Sequence, residues 1–459
     1  MTATARHDAV TPIARSLVGG VVLAALLLDG CARGENAFPN NSSAAAEPDP
    51  GLSTAPQDAR VDLAEPTFSN PTAITNPLFP ISALTQVIQL GTEAGVRLRN
   101  EVTLLPRTKT VAWNGRDVQT LVSQSVGYRD GRIREVTYDY YAQADDGSVW
   151  YFGEDVENYE GGVIADYRGT WLAGQHGPPG MIMPAKPAVG DVYRPENIPG
   201  AVFEEVTVKS VGERVAGPRG PVDNALLVQE LLLDGTLEDK VFVPAYGEFR
   251  AEVVAEDELV TVSVAAPVDS IPGDVPENLR VLSRGAVDIL AAVPEQDWPR
   301  LSAVRADLTT AWDGYRTGSV PPLIHEQMSA ALDELGAAVN AQEPERVLAA
   351  ATEAANAALD LELRHRPPAQ VDVGRLELRT RQLLADAAAA EVASVAGDTA
   401  TLQTIWDRTV HTVDTPIRAR IDAGLADLRT ATAAADLDSV ALIGGELQVT
   451  LTEVIAAGG

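Results

Sequence analysis

From about Thr92 to Trp171, polar and apolar residues alternate with a period of two. That is the signature of strands with one buried face. Three stretches punctuate the alternation: "WNGRD" at 113–117, "YRDGR" at 128–132 and "ADDGS" at 144–148. Each holds an Asn-Gly or Asp-Gly pair, which accepts positive φ and favours a tight two-residue hairpin turn. The spacing predicts a four-stranded antiparallel meander. Strand-like runs continue at 201–211, 225–233, 239–246, 249–255 and 258–265, with Asp234-Gly235 as a further turn. A sheet of this size must curve around a core of its own or be covered on one face.

The periodicity then changes. "APVDSIPGDVPENLR" at 266–280 holds three prolines and reads as a linker, centred on 271–280. Beyond it, apolar residues recur every three or four positions in Ala-rich stretches, which predicts helices near 281–293, 297–315, 322–340, 344–365, 372–396, 398–412, 416–433 and 437–456. A shift of 93 positions places Ile324, Met328, Leu332 and Leu335 on Ile417, Ile421, Leu425 and Leu428, and Val347 on Val440. Trp312-Asp313 and Trp406-Asp407 agree with a shift of 94. The expectation is an α+β chain of two domains. A curved antiparallel β-sheet meander spans 61–270, and an antiparallel α-helical bundle spans 281–459, with an internal repeat over about 297–365 and 398–456.

The N-terminus has its own pattern. Arg6 and Arg15 precede an almost wholly apolar run, Leu17 to Leu28, followed by Cys31, the sole cysteine of the 459 residues. The run is short for a transmembrane helix and suits a secretory signal over 1–30. Leu28-Asp29-Gly30-Cys31 resembles the lipobox of bacterial lipoproteins, with Asp29 where a small or apolar residue is usual. The resemblance implies a Cys31 thiol that carries a diacylglycerol, with palmitate among its acyl chains. The alternative is an ordinary signal peptide and a secreted protein. Residues 32–60 are rich in Ala, Pro, Ser and Asn without apolar periodicity, and read as a flexible tether. The expected location is the outer face of the cell membrane.

With 65 acidic and 35 basic residues the formal net charge is −30. Such a surface repels phosphate backbones, which argues against nucleic acid as a partner. Aromatic residues make up only 5% of the chain, yet nine of them fall between Tyr138 and Trp171. Tyr141, Trp150 and Phe152 form a candidate aromatic ligand wall, with the ordinary core of a β-domain as the alternative. The stretches "EVTYDYYAQADDGSVWYFGEDVENYEGG" (135–162), "PGMIMPAKPAVGDVYRPE" (179–196) and "VFVPAYGEF" (241–249) resemble an uncharacterised family of secreted bacterial proteins and lipoproteins. That family shares a "DWYAQD..GNVWYFGE…PGIIMPA.P.VG" pattern. The resemblance implies a fold and a location, and no reaction.

If Asp146-Gly147 centres a two-residue turn, positions summing to 293 face each other. Tyr141 then faces Phe152, Gln143 faces Trp150, and Asp139 faces Glu154. Opposed carboxylates destabilise a hairpin unless a cation or a proton relieves them. Asp139 and Glu154 are therefore candidate paired acids, for a divalent cation or for acid–base work. The alternatives are a neutralising base nearby or exposure to water. Glu196 is a further candidate acid. His325, His365 and His411 each stand alone on the helical half, without metal-ligand spacing. No metal site and no cofactor are expected, and no nucleophile elbow, phosphate loop or dinucleotide fingerprint occurs.

The sequence thus points to a non-catalytic envelope lipoprotein that binds an apolar small molecule or a protein partner. Two other readings stand beside it: an envelope hydrolase using the paired carboxylates, and a metal-binding accessory protein built on the helical bundle.

Overall fold

The computed structural model describes residues 52–458. The signal segment, Cys31 and the tether up to residue 51 lie outside the described residues. Fourteen antiparallel strands form one sheet. The first six are β1 (Gln86–Glu93), β2 (Val96–Trp113), β3 (Arg116–Arg129), β4 (Arg132–Gln143), β5 (Val149–Glu160) and β6 (Val163–Asp166). Two short strands follow, β7 (Trp171–Leu172) and β8 (Gly180–Met183). The second run is β9 (Val192–Ile198), β10 (Val202–Val215), β11 (Val222–Leu232), β12 (Leu237–Val243), β13 (Gly247–Val253) and β14 (Glu258–Ala266).

Both runs are meanders, and they join where β1 pairs with β14. Asn114-Gly115 and Asp130-Gly131 have positive φ at both central positions, as the sequence predicts for twist-matched hairpin turns. The sheet rolls up until its two ends approach. β8 hydrogen-bonds to β5, and a Cβ on Gly180 of β8 would fall 1.9 Å from the Pro195 carbonyl oxygen of β9. One core cluster accordingly joins Val118, Tyr151 and Trp171 to Val206, Leu226 and Phe242 across the roll.

Eight helices follow: α1 (Glu277–Ala292), α2 (Trp298–Tyr315), α3 (Pro322–Ala341), α4 (Pro344–Glu362), α5 (Pro368–Ala388), α6 (Val392–Thr409), α7 (Thr415–Ala433) and α8 (Leu437–Gly458). α1 begins inside the segment predicted as linker. The α5–α6 boundary also differs from expectation, lying at 389–391 rather than near 397. Ala390 adopts positive φ there and ends α5 within an alanine run that carries no apolar period to mark the break. α1 packs on α2 and α4, and α3 on α4; α5 packs on α6 and α8, and α7 on α8. The helices cover the outer face of the sheet, where Ile88 and Val264 share a core with α1–α4.

Candidate functional site

Strand alternation sends one set of side chains to the inside of the roll. On β4 and β5 these include Asp139 and Glu154, which are register partners, each about 1% exposed. The register that brings them together differs from the expected one. Ala144 and Ser148 close a three-residue loop, so near the turn Tyr141 faces Tyr151 and Gln143 faces Val149. Tyr141 therefore does not face Phe152, nor Gln143 Trp150. A bulge between Asp139 and Tyr141 then shifts the pairing by one residue.

Two more carboxyl pairs face each other directly: Glu196 with Glu204, and Glu230 with Glu238. All four are buried. Lys240 is the single base among them, its Nζ 2.7 Å from Glu230, 3.5 Å from Glu238 and 3.8 Å from Glu248. Seven carboxyls thus share the inside of the roll with one ammonium, which touches three of them. Both oxygens of Glu204 and of Glu238 lack a hydrogen-bond partner.

Burial is the main force on these groups, because a desolvated carboxylate resists ionisation. It pushes Asp139 up to about 7, against the pull of a 2.6 Å hydrogen bond from the Tyr151 hydroxyl. It pushes Glu196 up to about 8, although Trp171 Nε1 donates to Glu196 at 2.5 Å. Glu154 rises well above the carboxylate range through burial, reinforced by the charges of Glu196 and Asp139. Glu154 in its acid form donates a hydrogen bond to Glu196. Tyr151 thus donates to Asp139, and Glu154 and Trp171 donate to Glu196, so these acids are hydrogen-bonded and not a set of free charges.

The predicted aromatic wall divides. Tyr141 stacks on Tyr151 with centroids 4.9 Å apart and lines a pocket of about 70 Å³ beside Asp139 and Glu248. Phe152 packs edge-on against Phe68 and Trp113, and Trp150 Nε1 donates to Ser148. The cavity has room for one or two waters.

No family model matches this sequence, and no curated protein does either.

The outer face of the sheet shows the opposite electrostatics. Arg99 pairs with Glu101 and with Asp360 of α4 at 2.7 and 2.6 Å. Arg375 of α5 pairs with Asp360 and Asp372 at 2.9 and 2.6 Å. Arg408 of α6 pairs with Asp372 and Glu101 at 2.8 and 2.6 Å. Three cations and three anions alternate in a closed ring, and every charge is matched. Burial opposes ionisation of Glu101, but Arg408, Arg99 and Arg375 outweigh it and hold its carboxyl well below the usual range.

Arg99, Glu101 and Arg375 of this ring also line a cleft of about 700 Å³ between sheet and helices. Its apolar walls are Leu90, Leu98 and Leu259 from the sheet, and Leu323, Ala331, Ala350 and Leu378 from the helices. Among the described residues, one group of three metal-ligating side chains has all its donor atoms within 4.8 Å of one another. It is Glu93, Glu256 and Glu258, and it contains none of the predicted histidines. His325 instead packs on Trp312 at 5.3 Å.

Sequence reasoning passed over Glu204, Glu230, Glu238 and Glu248. Their signal was present: Glu204-Val206-Val208 and Val228-Glu230-Leu232 place an acid in line with core residues at period two. Strand order is what brings them into one enclosure, and that order is not local.

Proposed function

We propose that this is a non-catalytic binding protein of the bacterial cell envelope that holds an apolar ligand in the cleft between sheet and helices. The observation that carries the reading is the cleft, whose volume of about 700 Å³ falls among those of small-molecule sites. Leucine, isoleucine and alanine side chains interleave in its lining with four arginines and four glutamates, so the charges there balance. An apolar guest therefore strips water from hydrocarbon without leaving a charge unpaired.

An anchor at Cys31 and a tether over 32–60 complete the reading by holding the cleft near a membrane, a source of apolar molecules. The resemblance to the secreted family named above fits the same location. The two-domain division at 271–280 and the helical repeat belong here too. The repeat is supported by corresponding tryptophans: Trp312 of α2 donates to Ser329 of α3 at 3.1 Å, and Trp406 of α6 donates to Asp422 of α7 at 2.7 Å. The hydrolase reading is less well supported. Asp139 lies beside a cavity of about 70 Å³, too small for a substrate, and Glu154 is buried outside its lining.

Native mass spectrometry of protein purified from its host membrane tests the reading. A retained apolar molecule, absent from an Ala350→Trp variant whose indole fills the cleft, supports it. Wild-type protein that is empty, or a retained mass that survives Ala350→Trp, overturns it.

A further inference from the structure

A third patch of acids lies at the end of the seam between β1 and β14, away from Lys240. Glu93 closes β1 and Glu258 opens β14, and the two are register partners. Glu256 reaches the same point from the short turn that precedes β14. Donor oxygens of the three carboxylates all lie within 4.8 Å of one another. Glu258 is about 2% exposed and both its oxygens lack a hydrogen-bond partner. A buried carboxylate without a partner is costly, so it takes up a proton or a cation.

The surrounding charges distinguish these outcomes. Arg129 pairs with Glu93. Arg134 is influenced by Glu93, Glu135 and Glu258, and by repulsion from Arg129. Four carboxyls, Glu93, Glu135, Glu256 and Glu258, therefore stand against two guanidiniums. The local deficit is two positive charges. The donors are all carboxylate oxygens, the set that hard divalent cations select over zinc or copper. Oxygens ligating calcium at about 2.3–2.6 Å can stand up to roughly 5 Å apart across the ion, which the observed spacing satisfies.

We propose that Glu93, Glu256 and Glu258 form a site for a hard divalent cation, calcium being the probe that tests it, that clamps the β1–β14 seam. Ala94 donates its amide to the Asp257 carbonyl at 3.0 Å, so the two turns that carry the ligands are already tied and little ordering is required on binding. Bound cation locks together the first and last strands of the sheet. The seam residues Thr92 and Leu259, next to the ligands, line the ligand cleft on the other face of the sheet.

The rival state is a proton on Glu258, whose carboxyl burial pushes up to about 8. Calorimetric and thermal titration of the full chain with calcium chloride, after chelator treatment and at pH 7.5, separates the two. The site predicts a rise in melting temperature and a saturable binding heat. Glu256→Gln, at a half-buried position that folding tolerates, should weaken binding at least tenfold, and Glu258→Gln should abolish it. Glu154→Gln, inside the roll, should bind calcium as the wild type does. Absence of heat and of a melting shift with millimolar calcium overturns the proposal. So does unchanged affinity in Glu256→Gln, which would assign the binding to the −30 surface at large.

Discussion

Arg408 of α6 donates to Glu101 of β2 at 2.6 Å, across 307 positions of sequence. Arg408 is wholly buried in its side chain, and Glu101 nearly so. Removing one partner of such a pair strands the other, at a cost of about 3–5 kcal/mol. Arg408→Met should therefore destabilise the whole chain by that amount in urea unfolding. Arg408→Met combined with Glu101→Gln should recover part of the loss, since no unpaired charge then remains between those two.

The same ring couples sheet to helices. Expressed together as separate chains, 61–270 and 271–459 should copurify, because Arg99 and Arg408 each reach an acid on the opposite partner. Size-exclusion chromatography of the mixture checks this, and two independent peaks would count against it.

The inside of the roll makes stability depend on pH. Asp139 and Glu196 hold their protons up to about 7 and 8 in the folded protein, whereas unfolded carboxyls release theirs near about 4. Between those values the folded state binds more protons, so stability falls as pH rises through the folded values. Glu101 of the outer ring, held well below the usual range by its arginines, acts in the other sense and loses its contribution in strong acid. Chemical unfolding should thus show greater stability at pH 5.5 than at pH 8.5. Glu154→Gln keeps a donor toward Glu196 but carries no charge. It should flatten that slope by removing one of the buried carboxyls whose proton-holding favours the folded state at lower pH.

Gly153 has φ near +115°, and a Cβ there would stand 2.2 Å from the Trp171 carbonyl oxygen. Gly153→Ala should cost at least about 1–3 kcal/mol and displace Trp171 from Glu196. A change in tryptophan emission that accompanies the lowered melting temperature checks the displacement. Unaltered emission would mean that the β5–β7 contact does not hold the indole in place.

For the anchor, Cys31→Ser should move the protein from the membrane fraction to the soluble one, and metabolic labelling with a fatty acid should mark only the wild type. Labelling of neither form would leave the cysteine without its expected role.

What the sequence revealed was local. Asn114-Gly115 and Asp130-Gly131 announced their hairpins because both residues of each pair must adopt positive φ, a demand few other residues meet. The eight helices were legible because each buries a continuous stripe, such as Ile421, Leu425 and Leu428. Asp146-Gly147 misled the turn by one position, since Gly147 alone takes positive φ there. The Asp139–Glu154 pairing then required a compensating bulge that no local pattern marks. β9 was not anticipated, because Arg194 and Pro195 interrupt its alternation. The enclosure of Glu204, Glu230 and Glu238 depends on how far the sheet rolls, and strand propensity does not encode that.

The pairing of β1 with β14 also sets the order in which the chain acquires its shape. Thr85 and Ala266 meet 181 residues apart, whereas every other neighbouring pair along the main strand order is joined by a local hairpin. As the polypeptide emerges, each meander zips up from its own turns and waits as an open ribbon. Closing the seam is the long-loop event, slowed by the entropy of bringing distant segments together. Until it happens, two strand edges lie unprotected and offer themselves to other chains. The vulnerable period of this protein runs from synthesis of residue 93 until residues 258–266 arrive and pair with β1.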